Sequence, residues 1–168
     1  PLARQAARYA LEDDLPIPCD QMIADVIPSS DGHYFAAAIS RPDLDRFIGP
    51  LHAAGIRPAV AGVLPCALLA LARLAGNIPS DSPCLLAFPS GRTITLVALQ
   101  AGSLFDARII IDQPSDSAAL VREVELSWHA LFGAAPGTNA HIIFMPDPAP
   151  LKHPAGTIPC RTLSIDPF

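Results

Sequence analysis

CLLAFPSGRTITLVALQAGSLFDARIII, residues 84–111, decides the fold. Three apolar runs, Cys84–Phe88, Thr93–Leu99 and Leu104–Ile111, are separated by two turn signals, Pro89-Ser90-Gly91-Arg92 and Ala101-Gly102. Each run has strand length and is rich in Leu, Val, Ile, Thr and Phe, with no internal proline. Thr93, Thr95 and Val97 fall on one face of the middle run; Ile94, Leu96 and Ala98 fall on the other. Strands joined by such short turns pair antiparallel, so the stretch predicts a three-strand meander.

Downstream, a helical pattern runs from about Asp116 to Phe132. Its apolar stripe is Leu120, Val121, Val124, Trp128, Leu131 and Phe132, and Gly133 ends it. Trp128 reads as core at that spacing. Ala140–Met145 is a short, buried, parallel strand; Pro146–Pro159 is a loop with one helical turn near Leu151; Cys160–Ile165 is a last strand. Upstream, Asn77–Pro83 is a polar linker and a candidate boundary. Leu64–Ala75 is a helix opened by Pro65 and closed by Gly76. It is apolar nearly all round, with Arg73 its one charge, which predicts burial between layers.

The first third is mixed. Leu2–Leu15 is a helix with Arg4, Arg8 and Glu12 at i,i+4 spacing, stopped by Pro16 and Pro18. Gln21–Pro28 and His33–Ile39 read as a strand pair around the turn Ser29-Ser30-Asp31-Gly32. Ser40-Arg41-Pro42-Asp43 opens a helix with Ser40 as N-cap and Asp43 three residues on, and Gly55 ends it. Ile56–Val63 is expected to be a strand.

The totals exclude several classes. Of 168 residues, 51% are apolar and 16% charged, a composition that builds a core and is not disordered. Net charge is 11 − 16 = −5, against a nucleic-acid binder. The 4 cysteines, Cys19, Cys66, Cys84 and Cys160, form no CxxC and read as reduced thiols of a cytoplasmic protein. No apolar run reaches membrane-span length. The chain opens at Pro1 inside a helical pattern and reads as a piece of a longer protein.

With that layout in place, the chain resembles two related bacterial families: PilM of the type IV pilus machinery, and the cytoplasmic part of the type II secretion protein GspL. Three segments carry the resemblance in the first 75 residues: Leu11-Glu12-Asp13-Asp14-Leu15, Ala54-Gly55-Ile56-Arg57-Pro58 and Pro65-Cys66-Ala67-Leu68. In the meander, Gly91, Thr95, Gly102 and Arg108 fall in register with the families' pattern. The resemblance implies an α/β chain in two modules. Residues 1–63 would form a small inserted α/β subdomain of helix, strand pair, helix and strand. Residues 64–168 would form a ribonuclease-H-like, actin-like half with the order β-β-β-α-β. The other half, with the first phosphate-binding hairpin, would precede Pro1.

An actin-like ATPase needs a carboxylate on the first strand of this half, aimed at a Mg-bound water, and a turn whose N–H groups meet phosphate. The carboxylate position holds Ala87-Phe88-Pro89-Ser90; the nearest acids are Asp81 and Asp106. Ser90, Gly91 and Arg92 are the candidate relic of a phosphate turn, with an ordinary hairpin turn as the plain alternative. Phe144-Met145-Pro146-Asp147-Pro148 occupies the place of an adenine-side glycine pair, and proline supplies no N–H. His33, His52, His129, His141 and His153 show no metal spacing. A G-x-S-x-G elbow and a P-loop are both absent.

The expectation is therefore a scaffold without catalysis, cofactor or metal. It would sit on the cytoplasmic side of the bacterial inner membrane, peripheral or anchored, in a pilus or secretion platform. Its partners would be the cytoplasmic tail of a bitopic membrane protein or an assembly ATPase. The strand pair of residues 21–39 would offer a sheet edge, with Ile23, Asp25 and Tyr34 as candidate partner-binding residues. One alternative is an actin-like ATPase binding ATP and Mg, its site completed by the missing half. Another is a module that forms a homodimer through residues 64–168.

Overall fold

A computed structural model describes residues 2–29, 33–76, 78–112, 116–133, 139–145 and 160–162. These divide into two compact units, Pro1–Val63 and Leu64–Phe168. The division falls before the apolar helix rather than in the 77–83 linker, so that helix belongs with the meander.

The first unit contains α1 (Leu2–Glu12), β1 (Met22–Pro28), β2 (Tyr34–Ser40) and α2 (Arg41–Ala53). The strands pair antiparallel from Met22↔Ser40 to Pro28↔Tyr34 and form a sheet of two strands. The turn at residues 30–32 lies outside the described residues. At the entry of α2, Ser40 Oγ accepts from the Asp43 N–H at 3.1 Å and donates to the Asp43 carboxylate. Pro42 lies in the first turn, where its missing N–H costs nothing. At the exit, Gly55 takes φ 78°, its N–H reaches the His52 carbonyl, and the Ile56 N–H reaches the Leu51 carbonyl. That pair of bonds is a Schellman stop, open to glycine because φ is positive.

The expected strand over Ile56–Val63 does not form; these residues are irregular. Pro58 has no N–H to give a ladder, and no neighbouring strand accepts the segment into either sheet. Val60 is left 84% exposed.

The second unit contains α3 (Leu64–Leu74), β3 (Cys84–Ser90), β4 (Thr93–Gln100), β5 (Ser103–Ile111), α4 (Ser117–Phe132), β6 (His141–Phe144) and β7 (Cys160–Thr162). Its sheet has the order β5-β4-β3-β6-β7. The meander pairs antiparallel, while β6 adds parallel to β3 and β7 parallel to β6. A meander with two parallel strands added beyond its first strand is the ribonuclease-H-like arrangement of actin-like half-domains. The loop at 146–159, with its expected helical turn near Leu151, lies outside the described residues.

Both faces of the sheet centre are dry. On one face Leu85, Ala87, Ile94, Leu96, Ala98, Ile142 and Phe144 form a core with Leu120, Val121, Val124, Trp128 and Leu131 of α4. On the other, Leu86, Val97, Leu99 and Leu104 are buried, and Leu68, Leu69 and Ala72 of α3 cover them. Asp116 caps α4 by accepting from the Ala119 N–H at 3.0 Å, and Gly133 at φ 67° ends it.

Helix α3 is not buried all round. It faces the sheet on one side, so its 3.6-residue period leaves Leu64, Leu71 and Leu74 exposed, Leu74 by 86%. Arg73 at its last turn donates to the Gly102 carbonyl at 2.9 Å and so fastens the β4–β5 turn to α3. Register slips by one between Ala98 and Leu99, and Phe105 is the extra residue of this bulge in β5.

The two hairpin turns differ. Gly91 has φ 58° and Arg92 does not take a positive φ, the pattern of a II′ turn. At the other turn both Ala101 (φ 49°) and Gly102 (φ 69°) are left-handed, the pattern of a I′ turn. Alanine pays for that conformation through its Cβ. Replacing Ala101 with glycine is expected to stabilise the protein by about 0.5–1 kcal/mol, read as a higher urea midpoint at unchanged slope.

Candidate functional site

The β3–β4 turn and the β1–β2 hairpin hold the sequence-derived candidates, and they lie in different units. Ser90 ends β3 and pairs with Thr93, while Gly91 and Arg92 form the two-residue tip. Thr93 Oγ1 donates to the Ser90 carbonyl at 3.0 Å, which tightens the tip. Arg92 is largely exposed but not unpaired. It pairs with the Asp112 carboxylate just beyond β5, tying the tip to the meander's far end. Both side chains are mostly exposed, so this pair adds little stability. Open space surrounds Gly91, since a Cβ there would meet nothing within 4 Å.

The end of β3 that an ATP-hydrolysing chain would use carries Phe88 and Pro89, both partly buried. Asp106 is two strands away: it stands on β5 opposite Ala98, and its Oδ1 accepts from the Ala107 N–H at 2.7 Å. Among the described residues no group of three or more His, Cys, Asp or Glu side chains is placed to hold a metal ion. Cys84, on β3, is fully buried, and that burial pushes its thiol up to about 12. It therefore stays protonated and unreactive at neutral pH.

In the hairpin, strand alternation separates the three partner-binding candidates. Ile23 and Asp25 share a face with Ile39, Ala37, Phe35 and Ile27, whereas Tyr34, opposite Pro28, stands on the face of Met22 and Ala24. Met22 is 1% exposed and Tyr34 is 59% exposed, so that face runs from buried to open along its length. Asp25 is held from two directions. Its Oδ1 accepts from the Val26 N–H at 2.8 Å and from Arg4 Nε at 2.7 Å. The backbone bond, then the guanidinium, hold its carboxyl below the ordinary range. Arg4 was visible in the sequence only as part of an i,i+4 charge row. Nothing in the spacing shows that it reaches 21 residues along the chain to β1.

No family model matches the sequence, and neither does any curated protein. Solved structures do match. The PilM–PilN type IV pilus biogenesis complex is similar at a TM-score of 0.57 and 18% identity, over 84% of this chain and 54% of that one. The cytoplasmic domain of EpsL, an inner-membrane component of the type II secretion system of Vibrio cholerae, is similar at a TM-score of 0.59 and 17% identity, over 96% of this chain and 58% of that one. A Bacteroides thetaiotaomicron protein with an actin-like ATPase fold and unknown function gives 0.53 and 10%, over 86% and 52%. The fold is therefore the actin-like one, shared with pilus and secretion proteins of the kind the sequence resembles. The chain spans little more than half the length of each neighbour.

Because the Asp25 carboxyl is depressed in the folded state, its charge stabilises the fold above the unfolded value of about 4, and that contribution is lost as pH falls through the lower folded value. Asp25→Asn is expected to lower the denaturation midpoint at pH 7, with the gap to the parent closing as the pH drops below about 4. A gap independent of pH would show that the charge plays no part.

Proposed function

We propose that this chain is a non-catalytic scaffold domain of a type IV pilus or type II secretion platform at the cytoplasmic face of the inner membrane. The observation that carries this reading is the β1–β2 sheet. It has only two strands among the described residues, so each strand has an outer edge without a ladder partner, in a chain whose fold is shared with platform proteins. An edge of this kind accepts an extended segment through main-chain hydrogen bonds, while alternate side chains such as Ile23 and Tyr34 supply selectivity. The partner would be the cytoplasmic tail of a bitopic membrane protein, or an assembly ATPase. No helix among the described residues is long and apolar enough to cross a membrane, so attachment to the platform would run through such contacts or through chain outside this stretch.

A second reading keeps a nucleotide. The left-handed Gly91 with open space above it leaves room for a phosphate at the β3–β4 tip, with ATP and Mg held jointly by an N-terminal half. The engagement of Arg92 by Asp112 and the Phe88-Pro89 strand end weigh against it.

Calorimetry with the partner's tail as a peptide separates the two. Ile23→Lys and Tyr34→Ala are each expected to weaken tail binding at least tenfold, about 1.4 kcal/mol, while Gly91→Asp leaves it unchanged. Tail binding that is indifferent to substitutions across Gln21–Ile39 would sink the scaffold reading. Mg-ATP binding by the full-length protein, lost on Gly91→Asp, would establish the second reading in its place.

A further inference from the structure

One face of α1 carries Arg4 and Arg8 a single helical turn apart, and a groove of about 320 Å³ opens beside them. Arg4, Gln5, Arg8, Tyr9 and Cys19 line it. All five belong to the first unit.

The two guanidinium groups are in different states. Arg4 donates to Asp25, so its charge is already compensated. Arg8 is half-buried, and its Nε is shielded from solvent with no hydrogen-bond partner among the described residues. Glu12, one turn further along α1, has the spacing to pair with Arg8. Instead its Oε1 accepts from the Cys19 N–H at 3.3 Å, fastening the segment after α1 back onto the helix. A shielded N–H without an acceptor is costly to maintain, so Arg8 gains if its guanidinium turns toward an acceptor in the groove it lines.

We propose that this groove takes a carboxylate side chain from an acidic peptide segment, with Arg8 as its principal ligand and the Gln5 amide and Tyr9 hydroxyl beside it. Charge count selects the ligand. Arg4 is neutralised by Asp25, and Arg8 has no ion pair among the described residues, so one guanidinium charge is offered to the groove, matching a single carboxylate rather than a polyphosphate. A guanidinium presents its donors in a flat fork that fits a carboxylate, and the Arg4–Asp25 contact shows the same chemistry beside the groove. The inference deepens the scaffold reading and rests on it: it names one anchor of the partner chain, lined by residues other than Ile23 and Tyr34.

The test is NMR titration of the whole chain with a blocked tetraglutamate peptide, following the Arg8 Nε–H resonance and the backbone amides of Gln5, Tyr9 and Cys19. Tetraglutamate is expected to shift them saturably and blocked tetraglutamine to leave them in place. Arg8→Gln should weaken binding at least tenfold, and Arg122→Gln, on exposed α4 surface in the other unit, should not change it. Circular dichroism checks that Arg8→Gln folds; the shift map of the unaltered protein stands without that variant. Absence of a saturable shift at Arg8, or undiminished binding by Arg8→Gln, overturns the proposal. So does inorganic phosphate moving the same resonances equally at equal concentration, since the groove would then be a general anion site. A negative result here, with tail binding still lost on Ile23→Lys, removes the groove and keeps the scaffold.

Discussion

Burial of β3 on both faces is the constraint from which the second unit follows. Cys84, Leu85, Leu86 and Ala87 are all fully buried, so four consecutive residues turn alternately into two different cores. A strand in that position must be flanked by ladders on both sides, because any N–H or C=O left unpaired there would be orphaned away from water. β4 supplies one ladder and β6 the other. Each face then needs a helix, and α4 and α3 provide them. The same burial raises the pKa of the Cys84 thiol and keeps it protonated.

The first unit is built on a different principle. It has one hairpin and two amphipathic helices, and neither helix contributes a buried residue. Two local devices, the reciprocal Ser40–Asp43 cap and the Schellman stop at Gly55, set the ends of its second helix, and the longer-range Arg4–Asp25 contact ties helix to strand. Such a unit keeps strand edges, exposed aromatics and a cationic groove available, because little of its surface is consumed in making a core. The two units thus differ in construction, with a dry sheet in one and an accessible hairpin in the other.

Much of this was legible. The meander, its two turns, α4 with its stripe, the parallel β6 and the β1–β2 pair all follow from period, turn residues and caps, signals that act within a few residues. Two expectations failed for the same kind of reason. Ile56–Val63 has strand composition, but a strand exists only where another strand receives it, and none does. Helix α3 has a composition suited to full burial, yet a sheet covers one side of a helix, and the far side keeps Leu71 and Leu74 exposed.

The candidate sites show the same divide. That Phe88-Pro89 stands near the end of the first meander strand can be read from the chain alone, since apolar period and turn residues place that strand. That Arg92 is engaged by Asp112, that Asp25 is held by Arg4, and that Tyr34 stands on the opposite face from Ile23 and Asp25 all depend on register and on contacts across 20 or more residues. The sequence by itself determined the meander, its flanking helices and the β1–β2 pair with their order, because hydrophobic period and turn chemistry are local. Only the tertiary structure decided which charges are satisfied and which remain open, because an ion pair needs two side chains brought together by packing that no short stretch encodes.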